Sequence, residues 1–170
     1  MGPQWFSPPA GTTAQRPTPT TGMTRYNTTL NDLEVYNGIN WNSATIFGAR
    51  YDTTSSDNES STTSTSWVQK LRLTISDIST GNYRVGWYAE IRSNSTSSDA
   101  QFRVQGNDSV DLCNVNIEPQ DGTSYFPVSG FIVAALSDAA SYYVDIDYSS
   151  ENAAATAYIR RARLEFWRVS

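Results

Sequence analysis

Residues 83–92 read YRVGWYAEIR. Tyr83, Val85, Trp87, Ala89 and Ile91 alternate with Arg84, Gly86, Tyr88, Glu90 and Arg92. A period of two is that of an extended strand, whose successive side chains point to opposite sides. The period recurs outward in both directions. Upstream, Trp67, Leu71, Leu73 and Ile75 oppose Val68, Lys70, Arg72 and Thr74. Downstream, Phe102 and Val104 alternate with Gln101, Arg103 and Gln105, and Tyr142, Val144, Ile146 and Tyr148 with Tyr143, Asp145 and Asp147. Ala162, Leu164 and Phe166 share a face of the last run. Residues 131–136, FIVAAL, are apolar on both sides, like a central strand or one facing a neighbouring subunit. Turn-forming clusters at 79–82, 93–99, 106–108 and 119–122 separate the runs, and no stretch has a helical period.

About eight strands spaced by polar turns predict an all-β fold, an antiparallel β-sandwich of jelly-roll type, over residues 43–170. Ile46 to Tyr51 reads as its first strand. The low-complexity run 52–66, DTTSSDNESSTTSTS, reads as a long loop inside this domain.

Two smaller segments precede it. Residues 1–21 hold Pro3, Pro8, Pro9, Pro17 and Pro19 among Thr, Ser and Gly, the composition of an extended arm with no core of its own. Trp5-Phe6 are its only large aromatics, and an anchor in a partner's pocket is one use for them. Folding back on the chain's own domain is the other. Residues 22–42 read as a small β-meander, with short strands at Gly22–Asn27, Leu33–Tyr36 and Ile39–Trp41. Asn37-Gly38 forms the tight turn because both residues tolerate positive φ. Tyr26, Val35, Tyr36, Ile39 and Trp41 supply its apolar surface. A piece this small is marginal alone, so it must lean on something.

Composition narrows the chemistry. The net charge is −5 with a single lysine, Lys70, which argues against a nucleic-acid partner. Charged residues make up 17%, under the usual ~25%, so hydroxyls rather than charges build the surface. There is no histidine, which removes the commonest general base and metal ligand. Cys113 is alone, with nothing basic near it in sequence, and reads as a small apolar residue. No apolar run approaches the ~20 residues that span a bilayer, and residues 1–10 lack a signal-peptide pattern, so no membrane partner and synthesis in a cytoplasm are expected.

Asp145 and Asp147 share a strand face, as a carboxylate pair for glycoside cleavage would, but a solvated outer face is the plainer reading. Oxygen-rich calcium-loop spacing is absent around Asp121 and Asp145/Asp147. No catalytic residue, cofactor or metal is therefore expected. Aromatics are the better signal. Trp87-Tyr88, Tyr125-Phe126, Tyr142-Tyr143 and Trp167 put rings on both faces of their strands, and one core cannot bury both. Tyr88, Tyr125 and Tyr143 are candidates for contact with a glycan or another subunit, a subunit being the commoner occupant of such surface.

Residues 16–41, RPTPTTGMTRYNTTLNDLEVYNGINW, resemble a short element that recurs in bacteriophage tail fibres and virion appendages. Gly22, Arg25, Tyr26, Asn27, Glu34, Val35, Tyr36, Asn37, Gly38 and Trp41 carry the resemblance. The remainder is similar to β-sandwich knob domains of phage virion proteins, through residues 81–87 (GNYRVGW), 115–119 (VNIEP), 128–131 (VSGF) and 157–164 (AYIRRARL). Its strand plan is also similar to trimeric jelly rolls of the tumour necrosis factor and complement globular-head type. The resemblance implies a homotrimer without catalysis, at the virion surface after synthesis in the host bacterial cytoplasm. An arm, a small module and a knob without a long shaft favour a capsid decoration (cement or head-fibre) protein. Trp5, Phe6, Pro8 and Pro9 would then dock on the major capsid protein or another virion protein, and Tyr26, Val35, Tyr36 and Trp41 would meet at the trimer axis. The alternative is a tail-fibre tip that binds host surface glycans.

Overall fold

The computed structural model describes residues 7–44 and 50–169, and Trp5, Phe6 and most of the strand expected from Ile46 lie outside them. In the first unit, β1 (Ala10–Gly11) and a 3-10 turn (Thr13–Gln15) precede β2 (Thr24–Asn27), β3 (Asp32–Tyr36) and β4 (Trp41–Ser43). β2, β3 and β4 form the expected antiparallel meander. The preceding segment departs from expectation. β1 pairs parallel to β2, with Tyr26 N–H donating to Pro9 O (2.8 Å) and Thr28 N–H to Gly11 O (2.9 Å). The described arm residues are thus partly built into the small sheet, because β2 would otherwise be an open edge whose N–H and C=O groups lack partners.

Local chemistry sets the turns. Gly22 and Gly38 have φ of +88° and +101°, left-handed conformations that glycine adopts without steric cost. Asn37 does not share the positive φ expected of it. Tyr36 pairs with Trp41, so the loop spans residues 37–40, and the Asn37 side chain caps it by accepting from Ile39 N–H (2.9 Å) and Asn40 N–H (2.8 Å).

The second unit contains β5 (Tyr51–Ser56), β6 (Ser60–Thr62), β7 (Val68–Ile78), β8 (Gly81–Ser93), β9 (Ala100–Gly106), β10 (Val110–Ile117), β11 (Phe126–Leu136), β12 (Ala139–Ser150) and β13 (Ala157–Arg168). One sheet has the order β11-β8-β13-β5, with β6 also on β13; the other has β10-β9-β12-β7. Ladders β9–β10, β8–β11, β7–β12 and β5/β6–β13 are nested, each enclosing the one before. A long hairpin rolled so that its arms alternate between two sheets is a jelly roll. Its innermost turn, residues 106–109, has Asn107 and Asp108 at φ 48° and 54° with Ser109 N–H donating to Gly106 O, the primed turn that suits strand twist.

The core lies between the sheets, where Val85, Ile91, Phe102, Val104, Val144, Ile146, Ile159, Leu164 and Phe166 are fully buried and Tyr83 stacks on Phe166 at 4.8 Å. Two positive-φ residues keep this alternation working. Arg161 (φ 50°) lets β13 bury Ala157 and Ile159 before it and Ala162, Leu164 and Phe166 after it. Asp77 (φ 52°) likewise turns Ile78 inward after Leu73 and Ile75.

Two expectations are corrected. The Ser/Thr-rich run 52–66 is largely the first strand of the roll, broken into β5 and β6, rather than a loop. It sits at a sheet edge, where hydroxyl side chains suffice, and Thr53 Oγ1 donates to Leu164 O (3.0 Å). Residues 131–136 lie on an edge strand, not a central one.

Replacing Ile146, wholly buried in β12, by alanine should cost about 2–5 kcal/mol, read as a lower urea midpoint at unchanged slope.

Candidate functional site

Three polar or aromatic constellations stand out. The first is in the small sheet. Register puts Arg25, Asn27 and Glu34 on one face and Thr24, Tyr26, Leu33 and Val35 on the other. The first face is buried, although it is charged. Arg16 forks onto Glu34, with Nη2 donating to Oε2 at 2.7 Å and Nε to Oε1 at 3.2 Å. Arg25 Nε lies 3.7 Å from Glu34 Oε1, and its Nη2 donates to Thr12 O (3.1 Å). Asn27 Nδ2 donates to Glu34 Oε2 (3.1 Å) and to Thr13 Oγ1 (3.0 Å). Glu34 therefore ties both preceding arginines and Asn27 to one carboxylate. Burial alone would raise that carboxyl; Arg16, Asn27 and Arg25 outweigh it and hold it below its usual 4.5.

The phage-like motif thus has a physical account here. Arg25, Asn27 and Glu34 are the polar interior, Gly22 and Gly38 satisfy backbone geometry, and Asn37 caps a loop. Tyr36 and Trp41 pair at 5.6 Å on the opposite side of the sheet from Tyr26 and Val35. The four residues expected at one axis therefore do not share a face: cross-strand register alternates them. Tyr26 is exposed, and Val35, Tyr36 and Trp41 are half-buried. A groove of about 270 Å³ is lined by Pro9, Pro17, Met23 and Trp41, with Arg25 also at its wall. Arg25 Nη1 is buried and finds no hydrogen-bond partner among the described residues. Pro8 is half-buried and Pro9 exposed.

The second constellation is the outer face of the β10-β9-β12-β7 sheet. Asp145 and Asp147 share this face as expected, but it is not a wet edge, since they are only 1% and 6% exposed. Asp145 accepts from Arg72 Nε (2.7 Å) and Nη2 (2.8 Å) and from Gln69 Nε2 (2.6 Å). Asp147 accepts from Arg103 Nε (2.9 Å). Burial pushes the Asp147 carboxyl up against the opposing pull of Arg103. Each carboxylate is engaged by its own arginine, so the two are salt-bridge partners rather than an open acid/base pair. Tyr143 lies on this face under Arg72, 5.0 Å from the guanidinium carbon. Asp121, considered for calcium, instead accepts from Thr123 and Ser124 N–H as a turn cap, which holds its carboxyl low. Among the described residues no group of three acidic or sulfur side chains forms a metal cradle. The Cys113 thiol is half-buried, and burial raises it, away from reactivity.

The third constellation is the outer face of the β11-β8-β13-β5 sheet. Cross-strand rows run Val133–Arg84–Trp167–Tyr51, Phe131–Gly86–Glu165–Thr53 and Ser129–Tyr88–Arg163–Ser55. Phe131, Val133 and Tyr51 are 58%, 56% and 54% exposed, and Trp167 37%. Arg84 stacks over Phe131 (4.3 Å) and Trp167 (5.3 Å), and Tyr51 meets Trp167 edge-on at 5.3 Å. Gly86 leaves a depression of about 310 Å³ between Phe131, Arg84, Tyr88 and Arg163. Toward the far end, Glu90 accepts from Arg160 (2.6 Å), Arg161 (2.8 Å) and Tyr88 Oη (3.0 Å); led by Arg160, these hold its carboxyl down at about 2. Tyr125 donates to Glu59, and its ring lies under Arg160 at 3.8 Å.

Of the proposed contact rings, Tyr88 and Tyr125 thus belong to this sheet and Tyr143 to the opposite one, so the three form no single site. Phe131 and Val133 were missed as contact residues by name. Their signal was the doubly apolar run 131–136.

No protein-family model matches this sequence, and no curated protein is significantly similar to it. Among solved structures, the chain overlays the infectious bursal disease virus Gt strain structure with a TM-score of 0.39 and 13% identity, over 76% of this chain and 34% of that one. It overlays a pentameric capsid protein isolated from metagenomic phage sequences with a TM-score of 0.28 and 22% identity, over 63% and 61%. For T=1 particles derived from infectious bursal virus the values are 0.37 and 11%, over 79% and 40%. The chain therefore spans less than two thirds of the length of each.

Replacing Glu34 with Gln should leave the buried Arg25 without its counter-charge and cost the small sheet about 3–5 kcal/mol. Native-state hydrogen exchange of the amides of residues 25–35 in the whole chain reads this. A carboxylate held low stabilises the folded state above its unfolded pKa, and the contribution is lost as pH falls through the folded value. In the wild type, protection corrected for intrinsic exchange should therefore drop as pH falls below 4.5. E34Q should lack that step.

Proposed function

We propose that this chain is a structural protein of a bacteriophage virion, a homotrimeric decoration protein held to the capsid by its N-terminal segment. The observation that carries the reading is the N-terminal unit itself. Its phage-appendage-like residues are committed to a charged interior, which leaves apolar side chains on the other face and in a groove. That groove is lined by Pro9, Pro17, Met23 and Trp41, with Arg25 at its wall. An apolar cleft of this kind suits an extended segment of another virion protein, which offers side chains to fill it. The jelly roll would project as the knob. Its strand ladders bury the polar backbone, and its paired carboxylates hold the sheet rather than open onto a cleft.

In this reading residues 1–10 are the grip: Trp5 and Phe6 fill a pocket of the major capsid protein or another virion protein, and Pro8 and Pro9 stiffen the approach. Tyr26 and Val35 face the other copies on one side of the small sheet. Tyr36 and Trp41 lie on its other side, where Trp41 borders the groove. The second reading, a tail-fibre tip that binds host glycans, is favoured by the ring- and arginine-lined depression over Gly86.

Deleting residues 1–10 should abolish attachment to undecorated capsids while the knob keeps its β-sheet circular dichroism. Attachment unchanged by the deletion would remove the grip from these residues. Sedimentation should give three copies per particle of the free protein, and a stable monomer that binds no capsid would sink the reading.

A further inference from the structure

The two outer faces of the jelly roll are unlike each other. On the β10-β9-β12-β7 sheet the outward residues are mainly Gln, Asn, Ser and Thr around Arg–Asp pairs, and the rings beside them, Tyr143 and Trp67, are half-buried under Arg72 and Arg103. On the β11-β8-β13-β5 sheet, half or more of Tyr51, Phe131 and Val133 is open, beside Trp167. These occupy adjacent cross-strand rows, so they form one patch rather than scattered rings. Contiguous apolar surface of this kind marks a contact site.

We propose that this face is where copies of the chain associate, a statement that rests on the self-assembling reading above. Four observations select a second copy. The residue types are those of interface anchors, with Trp, Tyr, Phe and Arg at the centre and no lysine. The size also fits: strands of 11, 13, 12 and 6 residues, ~4.8 Å apart and rising ~3.4 Å per residue, cover roughly 700 Å², close to one side of a standard stable interface. Next, β11 is an 11-residue edge strand, and long apolar edges attract pairing unless something covers them.

The fourth observation is charge. Arg84, Arg92, Arg160, Arg161 and Arg163 stand on or beside this face against Glu90, Glu165, Asp57 and Glu59, a small positive excess on a chain that carries −5 as a whole. The complement of this face is therefore the acidic remainder of another copy, and a contact between unlike surfaces is heterologous, the kind that closes into rings. Arg84 is the centre of the patch. Its plane is held between Phe131 and Trp167, and Glu165 lies 3.7 Å away as a loose, part-exposed ion pair. A guanidinium carries five N–H donors, so this pair leaves donors for a partner's carboxylate.

The test uses the full chain, sized by chromatography with light scattering over a concentration series. The variants are Phe131→Ser with Val133→Ser, and separately Val133→Lys, all at positions exposed in the single chain. Wild type should be oligomeric, and both variants should dissociate at least about 100-fold more readily while keeping the wild-type urea midpoint of the monomer. The Val133→Lys variant changes only a solvent-facing side chain, so an oligomer indifferent to it overturns the proposal and leaves self-assembly standing. A wild type that is monomeric throughout overturns self-assembly and this proposal together. Unchanged oligomers with saccharide-array binding lost in the double variant would make the face a glycan site and overturn the proposal.

Discussion

A strand in a two-layer sandwich can bury only one of its faces, and much of this molecule follows from that constraint. Residues of one parity must be apolar and meet across the layers; those of the other must be satisfied by water, by each other or by another molecule. β12 obeys it plainly: Val144 and Ile146 are sealed in the core while Asp145 and Asp147 turn outward onto arginines. β13 obeys it by a bulge at Arg161, which changes parity midway so that Ile159 and Leu164 both reach the core. β11 does not obey it within one chain. Ile132 and Leu136 pack inward while Phe131 and Val133 remain more than half exposed outside, with Arg84 stacked on Phe131.

The small N-terminal sheet meets the constraint in an unusual way. Among the described residues it has no second sheet of its own, and the face it buries is charged. One carboxylate, Glu34, is shared by Arg16 and Arg25 and accepts from Asn27, and the segment around Thr12–Arg16 is drawn across the sheet by the same contacts. Replacing a small apolar core by a hydrogen-bonded ion cluster exchanges hydrophobic stabilisation for geometric definition, since each donor fits one place. That leaves the apolar side chains of this unit available to others, which is the property an adaptor needs.

The two outer faces of the roll show how the same residue types serve different ends. On both, arginine lies over aromatic rings. Where aspartates are buried beside it, as with Arg72 and Arg103, the guanidinium completes an internal pair and the face is finished. Where the rings stand exposed and the carboxylate is loose and part-exposed, as with Arg84 and Glu165, the same stacking holds the guanidinium toward the outside. Burial of the acidic partner, not the presence of arginine or ring, separates a structural face from a contact face.

By itself the sequence determined the all-β class, the parity of most long strands and chain reversals near 79–82 and 106–108, because period-two alternation and turn residues are local signals. It also marked residues 131–136 as having two apolar faces and Arg25, Asn27 and Glu34 as members of a motif. Only the tertiary structure decided what these meant. The Ser/Thr run 52–66 is mostly strand because it lands on an edge beside β13, where backbone pairing rather than side-chain burial supplies the stability. Residues 131–136 lie at an edge because nested pairing sets strand order, which no single strand records. Tyr26 and Val35 part company with Tyr36 and Trp41 because cross-strand register, a relation between segments, assigns each side chain its face. Asp145 and Asp147 are ion-pair partners because Arg72 and Arg103, remote in sequence, lie on the neighbouring strands β7 and β9.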